Sequence, residues 1–366
     1  MRNEILLNAI GNISDELILG ADNVGNIKKH KIIKYVASAA CFLLLVTVVV
    51  LNLPQKSISD LPQKNAELPM LTVTDNDSAG GFGYEGLMAY RISDLTNANP
   101  WREDAKLSTL PVYKNLYTYD VNGEIPKNAD EYAESLLKSV LEKTKNMSGI
   151  KIERSLGGME IDIEFVPEVV LDEKYNFGFN SSFEELTSVG SFFIDEYKEI
   201  IDMKKPTLNI YDGDYDIYGR QLYNMFLYDD SGSLTDRIIN YHFDRVYFHP
   251  DDYGRLCRIR IEKTDLSHKV GDYPIISPED AKKLLFEGKY ITTVPYRLTD
   301  KDKVAKSELV YRNGGTEKYY MPYYKFFIEV PNENLKNGLK TFGVYYVPAV
   351  ESKYISNMPV WDGSFN

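Results

Sequence analysis

The feature that most constrains this chain is an uncharged, mostly apolar segment near its N-terminus, YVASAACFLLLVTVVVLNL, which runs from Tyr35 to Leu51 and is extended by Asn52 and Leu53. An α-helix rises about 1.5 Å per residue, so about 20 apolar residues cross the roughly 30 Å hydrocarbon core of a bilayer. Tyr35 suits the headgroup level at one end, and Pro54 ends the helix at the other. The segment therefore predicts a single transmembrane helix.

Three other interpretations of this segment fit the sequence less well. A signal peptide has a short charged head and a cleavage site after a short apolar run, whereas here 34 residues precede the run and no A-x-A site follows it. A lipobox such as Ser38-Ala39-Ala40-Cys41 would end the apolar run of a lipoprotein, but here the longest apolar part follows Cys41. A buried core helix is disfavoured because the run has no caps and is flanked by lysines. We therefore expect an uncleaved anchor that lies in the lipid bilayer.

Basic residues crowd the N-terminal side of the anchor and are sparse after it. Basic residues stay on the cytoplasmic side of a membrane. We therefore expect a single-pass protein of the cell membrane, with residues 28–53 as basic flank and transmembrane helix, a cytoplasmic N-terminus and an extracellular C-terminal domain. The lysines that set this orientation are Lys28, Lys29, Lys31 and Lys34.

Charge and cysteine content narrow the class of protein further. The formal net charge of −12 disfavours a nucleic-acid partner, because binding to phosphates needs Lys and Arg. The two cysteines, Cys41 in the predicted anchor and Cys257 in a strand pattern, cannot meet. An external domain without a disulfide framework is typical of a Gram-positive bacterium rather than of a eukaryotic secretory protein.

Residues 1–27 are expected to form short cytoplasmic helices. Helices of this length do not stay folded alone. The segment can therefore dock on a regulatory protein such as a sigma factor or a kinase partner, lie on the membrane surface, or be loose. Few basic residues precede Lys28, which disfavours the membrane surface. Docking on a partner protein is the sharper hypothesis. The candidate partner-binding residues recur at helical spacing. They are Ile5, Leu6, Ile10, Ile13 and Leu17.

The part of the chain after the anchor divides into a spacer and a domain. Prolines and polar residues without a periodic apolar face predict a flexible extracellular linker over 54–81. Residues 82–366 are expected to form the extracellular domain, and an internal boundary near 265–275 stays open as an alternative.

This domain is expected to be α+β. Start signals predict helices after Asn128, Ser182 and Ser277. The fold class predicted for the whole chain is thus a single transmembrane helix followed by an extracellular domain of antiparallel sheets with about three helices. Alternating apolar residues predict strands elsewhere, among them Ile238–Phe248, Tyr290–Arg297 and Tyr319–Val330.

Motifs that would carry chemistry are scarce. Asp212, Asp214 and Asp216 alternate like the opening of a calcium loop, but that loop needs Gly at its sixth and Glu at its twelfth position, where this chain has Ile217 and Tyr223. The three aspartates are therefore weak calcium candidates beside the interpretation of a solvated acidic turn. No nucleophile, phosphate-binding or metalloprotease motif occurs in the sequence. We therefore expect no cofactor and no catalytic residue, although distant carboxylate pairs of the glycosidase type stay open.

Aromatic side chains are in excess, with 28 tyrosines and 16 phenylalanines. The densest run, YYMPYYKFF, spans 319–327. In a strand its side chains would face both ways, and exposed tyrosines mark protein or sugar partners. The alternative is ordinary cross-strand packing inside a sheet.

Two resemblances bear on function. The opening 4–18 with its basic residues and apolar run, the stretch 81–86, Asn99–Trp101 and the stretch 110–115 resemble single-pass membrane proteins of clostridial Firmicutes, which implies an anti-sigma-like or sensor-associated regulator. The stretches 273–277 and 321–326 are similar to the C-terminal part of the YycI/YycH regulators of sensor kinases. No zinc-binding His-Cys-Cys pattern precedes the anchor, which argues against a zinc anti-sigma domain.

Together these features favour a non-catalytic, membrane-anchored extracytoplasmic sensory or regulatory protein that links an external binding domain, whose ligand the sequence does not identify, to a cytoplasmic regulator-binding segment. The alternative is a tethered cell-wall or carbohydrate-binding module or hydrolase. A structural member of an envelope complex is a third hypothesis.

Overall fold

A computed structural model describes residues 67–74, 85–118, 126, 129–155, 160–299, 301–331 and 338–363. They belong to one compact unit, Glu67–Asn366. The predicted cytoplasmic segment, its partner-binding residues, the orientation lysines and the predicted anchor lie outside these residues. Within them, every helix is too short or too polar to cross a membrane.

The described residues form fourteen strands and five α-helices. The strands, in chain order, are β1 (Gly86–Ala89), β2 (Thr109–Lys114), β3 (Ile150–Arg154), β4 (Glu160–Val169), β5 (Pro206–Tyr215), β6 (Gln221–Asp229), β7 (Asp244–Pro250), β8 (Leu256–Lys263), β9 (Lys269–Pro274), β10 (Ile291–Thr292), β11 (Val304–Tyr311), β12 (Tyr319–Tyr320), β13 (Pro322–Val330) and β14 (Lys340–Pro348). The helices are α1 (Ala129–Thr144), α2 (Phe183–Glu196), α3 (Lys198–Ile201), α4 (Leu234–Phe243) and α5 (Pro278–Phe286).

Three sheets organise these strands. A six-stranded sheet has the order β3-β4-β8-β7-β6-β5, and a five-stranded sheet has the order β1-β14-β13-β11 with β10 also paired to β14. A three-stranded sheet has the order β12-β2-β9. Strand β9 lies within the interval 265–275, which the sequence left open as a boundary inside the domain. All pairings between these strands are antiparallel, which confirms the predicted α+β class with antiparallel sheets.

The six-stranded sheet has one apolar and one polar face because side chains alternate along each strand. Helices α1, α2 and α3 cover the apolar face. At its centre the ring of Phe193 on α2 stacks on Phe248 of β7, with 4.5 Å between the ring centroids. The polar face includes Asp162 and Arg260, whose side chains form a two-point ion pair with both distances 2.8 Å. This polar face is the one that forms a wall of the candidate site.

Two helix starts are confirmed at the residues that the sequence indicated. The Ser182 hydroxyl accepts from the Glu185 N–H at 3.2 Å, and the Glu185 carboxylate accepts from the Ser182 N–H at 2.7 Å. The Ser277 hydroxyl accepts from the Asp280 N–H at 3.1 Å, and Pro278 opens α5. Such caps satisfy N–H groups that the first helical turn leaves without a partner.

The predicted strand Ile238–Phe248 is wrong for its first half and confirmed from Asp244 onward, and the count of about three helices is wrong. Helix α4 occupies 234–243, and β7 begins only at Asp244. The physical reason is a capping box at Ser233, whose hydroxyl accepts from the Asp236 N–H at 3.2 Å while the Asp236 carboxylate accepts from the Ser233 N–H at 2.9 Å. The cap starts a helix where apolar alternation alone indicated a strand.

Two further predicted strands are shorter or divided. The interval Tyr319–Val330 holds β12 and β13, which belong to different sheets and are separated at Met321. The predicted strand Tyr290–Arg297 is reduced to Ile291–Thr292. The side chain of Met321 is fully buried, so the divided interval still packs in the interior.

The folded unit begins inside the interval predicted as a linker. The N–H of Leu71 donates to the carbonyl of Tyr354 at 2.7 Å, and the N–H of Val73 donates to the Asn357 side chain at 2.8 Å. Both Leu71 and Val73 are buried. The short Leu-Thr-Val-Thr alternation at 71–74 is typical of an extended segment with one buried face.

Candidate functional site

A cavity of about 380 Å³ lies between the polar face of the six-stranded sheet and the five-stranded sheet. Strands β5, β6 and β7 contribute one wall, and strands β11, β13 and β14 contribute the opposite wall. Helix α4 closes part of it with Tyr241 and His242. A volume of this size accommodates a small organic molecule.

Lys325 is the charged group at the centre of the five-stranded wall. On β13 it lies directly opposite Glu308 of β11 and Tyr346 of β14. Directly opposed residues of an antiparallel pair have Cβ atoms about 5 Å apart. Alternation along β13 turns Lys325 and Phe327 toward the cavity, while Tyr324 and Phe326 pack in the apolar core behind the sheet.

Within the described part of the chain, the Lys325 ammonium makes no hydrogen bond and no ion pair. Its nitrogen instead lies over aromatic rings, 5.1 Å from the centroid of Phe327 and 5.9 Å from that of Tyr346. Burial acts to lower the pKa of Lys325, but Tyr346, Glu308 and other acidic groups outweigh it and raise that pKa above its usual value. The lysine therefore brings a full positive charge to the cavity.

The other cations of the cavity have carboxylate partners. Burial raises the pKa of Glu317 to about 7, although Arg312 acts in the opposite direction. Burial also acts to raise the pKa of Glu308, but Lys325 and Lys306 outweigh it and lower that pKa. The pairs are Arg245 with Glu262, Arg312 with Glu317 at 3.0 Å, and Lys306 with Glu308 at 2.8 Å.

The carboxylates of the cavity are held by polar neighbours. Glu85 accepts a hydrogen bond from the Tyr346 hydroxyl at 2.8 Å. Asp212 accepts from the Asn224 amide at 2.8 Å, and burial raises its pKa. Glu85, Asp212 and Glu308 also act on Lys325 through their charges, but within the described residues none of them forms an ion pair with its ammonium.

His242 lines the cavity from helix α4 rather than from the strand that the sequence predicted. Its Nδ1 lies 2.8 Å from the carbonyl of Ile238, so Nδ1 carries the proton and donates. Burial lowers the pKa of His242 to about 4. The ring is therefore neutral at pH 7, and its buried Nε2 is an acceptor without a hydrogen-bond partner among the described residues.

Apolar groups make up much of the remaining wall. They are aromatic rings from both sheets and α4 together with aliphatic side chains from β1, from β10 and from the segment after β1. They comprise Leu87, Leu95, Tyr211, Phe226, Tyr241, Ile291 and Phe327. A ligand with an apolar body and one anionic group matches this combination.

The three aspartates of the calcium hypothesis do not converge. Asp212 sits at a bulge with φ of 71° and bonds Asn224, and Asp214 follows it on the same strand. Asp216 is beyond the strand and accepts hydrogen bonds from the backbone of its own turn. In the described ranges, no group of three or more His, Cys, Asp or Glu side chains could hold a metal ion.

Sequence reasoning did not single out Lys325. It lies in the aromatic run 319–327, and the alternation of that run indicated two faces without indicating which one meets a cavity. The sequence did offer one indication of a site, namely a single lysine inside the aromatic run. A charged side chain is seldom buried in a central strand unless it has a partner.

Comparisons with known proteins add little to this geometry. No model of a known protein family matches the chain, and no curated protein matches it. Among solved structures, the chain is similar to the crystal structure of an uncharacterized protein from Eubacterium rectale, with 12% sequence identity over 67% of this chain and 84% of that chain. The TM-score is 0.29, which is too low to support a conclusion about fold or function.

Proposed function

We propose that this chain is a non-catalytic, membrane-anchored extracytoplasmic receptor whose folded domain binds a small organic anion in the cavity beside Lys325. The observation that carries the proposal is the position of the Lys325 ammonium, which faces the cavity without an ion pair among the described residues while its neighbouring cations have partners.

The energetics favour an anion with an apolar body. Partial burial removes water molecules from an ammonium group, which costs free energy. Without a direct partner, this cost is offset only by charges farther away. A carboxylate placed against Lys325 would form a charge-assisted hydrogen bond of about 2.7–2.9 Å. Rings such as Phe226 and Phe327 would bury the rest of the ligand.

The receptor role rests in addition on the predicted topology. In this proposal the segment Tyr35–Leu53 anchors the chain, and residues 1–27 dock on a cytoplasmic sigma factor or kinase partner. Ligand binding outside would alter that docking inside. Protease treatment of intact cells tests the topology, since it should remove a C-terminal tag and spare an N-terminal one. Loss of the N-terminal tag alone would contradict the predicted orientation.

The hydrolase alternative needs two carboxylates that act on one bond. Glu85, Asp212 and Glu308 are the cavity carboxylates, and each is already bonded to a neighbouring side chain. We therefore propose that these carboxylates hold the side chains of the cavity wall in place and do not act in a hydrolysis reaction.

A calorimetric titration of the full chain in detergent tests the anion site. The probes are acetate, benzoate and inorganic phosphate, with benzamide as the neutral counterpart of benzoate. We expect benzoate to bind best, because it combines a carboxylate with an apolar ring, and benzamide to bind at least tenfold more weakly.

The matched variants are Lys325→Met and Lys318→Met, the latter at an exposed lysine. Lys325→Met should weaken benzoate binding at least tenfold, equivalent to about 1.4 kcal/mol, whereas Lys318→Met should leave it within twofold. Failure of every anion to bind, or equal binding by both variants, would refute the proposed site.

A further inference from the structure

Two hairpin turns of the six-stranded sheet share the five-residue pattern Asp-x-Tyr-Gly-Arg. One spans 216–220 and joins β5 to β6, and the other spans 251–255 and joins β7 to β8. The pattern is short, and both copies lie in turns between strands.

The first turn is built around Asp216. One carboxylate oxygen accepts from the backbone N–H groups of Tyr218 and Arg220, both at 2.9 Å, and the other accepts from the Arg220 side chain at 2.7 Å. Gly219 has φ of 78°, a conformation that favours glycine. The Arg220 guanidinium lies 5.4 Å from the centroid of the Tyr218 ring.

The second turn repeats this construction around Asp251. Its carboxylate accepts from the N–H groups of Tyr253 and Arg255, both at 2.9 Å, and from the Arg255 side chain at 2.6 Å. Gly254 has φ of 75°. The Arg255 guanidinium lies 5.2 Å from the centroid of the Tyr253 ring.

Each turn holds its tyrosine out into solvent. Tyr218 is 78% exposed and Tyr253 is 83% exposed. A core or packing role does not account for such exposure. The arginine restrains each ring by a cation–π contact, so the rings are presented with little loss of side-chain entropy on binding.

The two turns lie at the same edge of the sheet. Strands β5 and β7 run in the same direction because each pairs antiparallel with β6. Neighbouring strands are about 4.8 Å apart, so two hairpins displaced by two strand spacings have centres about 10 Å apart. This separation is comparable to the length of a disaccharide unit in an extended glycan.

The loop before α2 lies against the second turn, and the start of α2 lies against strand β6, which follows the first turn. A Cβ built on Gly254 would lie 2.8 Å from the carbonyl oxygen of Phe177, so this loop abuts the second turn. Further along, the Phe183 ring packs edge-on against Tyr223, with 6.0 Å between centroids. Phe179, between them in sequence, is 62% exposed.

An open groove of about 560 Å³ runs beside the first turn. Its lining combines two aromatic rings, neutral amide and hydroxyl groups, one acidic residue and one basic residue. The residues are Asn180, Ser181, Ser182, Phe183, Glu184, Arg220, Gln221 and Tyr223.

We propose that this edge of the sheet binds a neutral glycan chain. Tyr218 and Tyr253 would stack on the apolar faces of two sugar rings, and groups such as the Asn180 amide would hydrogen-bond the sugar hydroxyls. Neutral hydrogen-bonding groups beside aromatic rings match a polyhydroxylated ligand better than they match the apolar core of a protein interface. The net charge of −12 disfavours a polyanionic polymer.

This inference is independent of the anion cavity, because none of its residues lines that cavity. Binding of chitohexaose and cellohexaose to the full chain in detergent, measured by calorimetry, tests it. We expect at least one of the two oligomers to bind. Tyr218→Ala and Tyr253→Ala should each weaken that binding about tenfold, and the double variant should abolish it.

Three controls make the result specific. Ile217→Ala, at a 75% exposed neighbour, should leave binding within twofold, and Tyr218→Phe should retain most of it because stacking needs the ring. Lys325→Met should bind the oligosaccharide like the wild type. The double tyrosine variant should unfold in urea at the wild-type midpoint, which shows that it is folded whether or not the cavity binds an anion.

Failure of both oligosaccharides to bind would overturn the glycan proposal. So would wild-type affinity in the double variant. Cross-linking to an envelope protein that depends on both tyrosines, without binding of either oligosaccharide, would assign the edge to a protein partner instead.

Discussion

At the scale of single residues, burial decides the charge of two histidines in this domain. Burial lowers the pKa of His242 to about 4, and burial followed by the charge of Arg258 lowers that of His249 to about 4. Neither Nε2 has a hydrogen-bond partner in the described part of the chain. The folded state therefore holds both rings neutral at pH values where the unfolded chain protonates them.

The domain should consequently lose stability in acid. An unfolded histidine titrates near 6.5, so the contribution of His242 is complete above pH 6.5 and falls as the pH approaches 4. The loss at pH 4 is on the order of 3 kcal/mol. Urea unfolding measured between pH 7 and 4 should show a smaller loss for His242→Gln than for the wild type.

His268→Gln, at an exposed side chain, is the control and should follow the wild-type curve. Parallel curves for His242→Gln and the wild type would show that His242 is not held neutral by the fold.

At the scale of elements, local start signals were reliable where they stood next to a clear helical pattern. Ser182 and Ser277 begin helices as predicted. Ser233 carries an equally good capping box, but it was not predicted as a helix start, and the alternating residues that follow it predicted a strand. The buried side chains Ile238, Tyr241 and His242 show the helical spacing that decides the matter.

The cap at Ser182 should therefore contribute measurably to stability. Ser182→Ala removes the acceptor for the Glu185 N–H and should lower the free energy of unfolding by about 1 kcal/mol. Ser188→Ala, at an exposed position within the same helix, should be neutral or slightly stabilising because alanine is the better helix former. Chemical denaturation of both variants gives the comparison, and an equal effect in the two would rule out the capping contribution.

At the scale of the whole molecule, the candidate site could not be predicted because it joins segments far apart in the sequence. Arg245 and Tyr211 come from one sheet, and Lys325 comes from the other. Composition and alternation indicated sheets and helices, but strand register is what places Lys325 opposite Glu308. The anchor and its orientation are predictions of a different kind, because a bilayer acts on a contiguous segment rather than on a tertiary arrangement, and Tyr35–Leu53 lies outside the described residues.

The most direct test of the proposed receptor is a crystal structure of the full chain soaked with 4-bromobenzoate, whose bromine is located by anomalous scattering. We predict bromine within the cavity between the two larger sheets, with the carboxylate about 2.7–2.9 Å from the Lys325 Nζ and the ring against Phe327. Crystals of Lys325→Met should show no bromine there. An empty cavity in the wild type, or equal occupancy in the variant, would contradict the account.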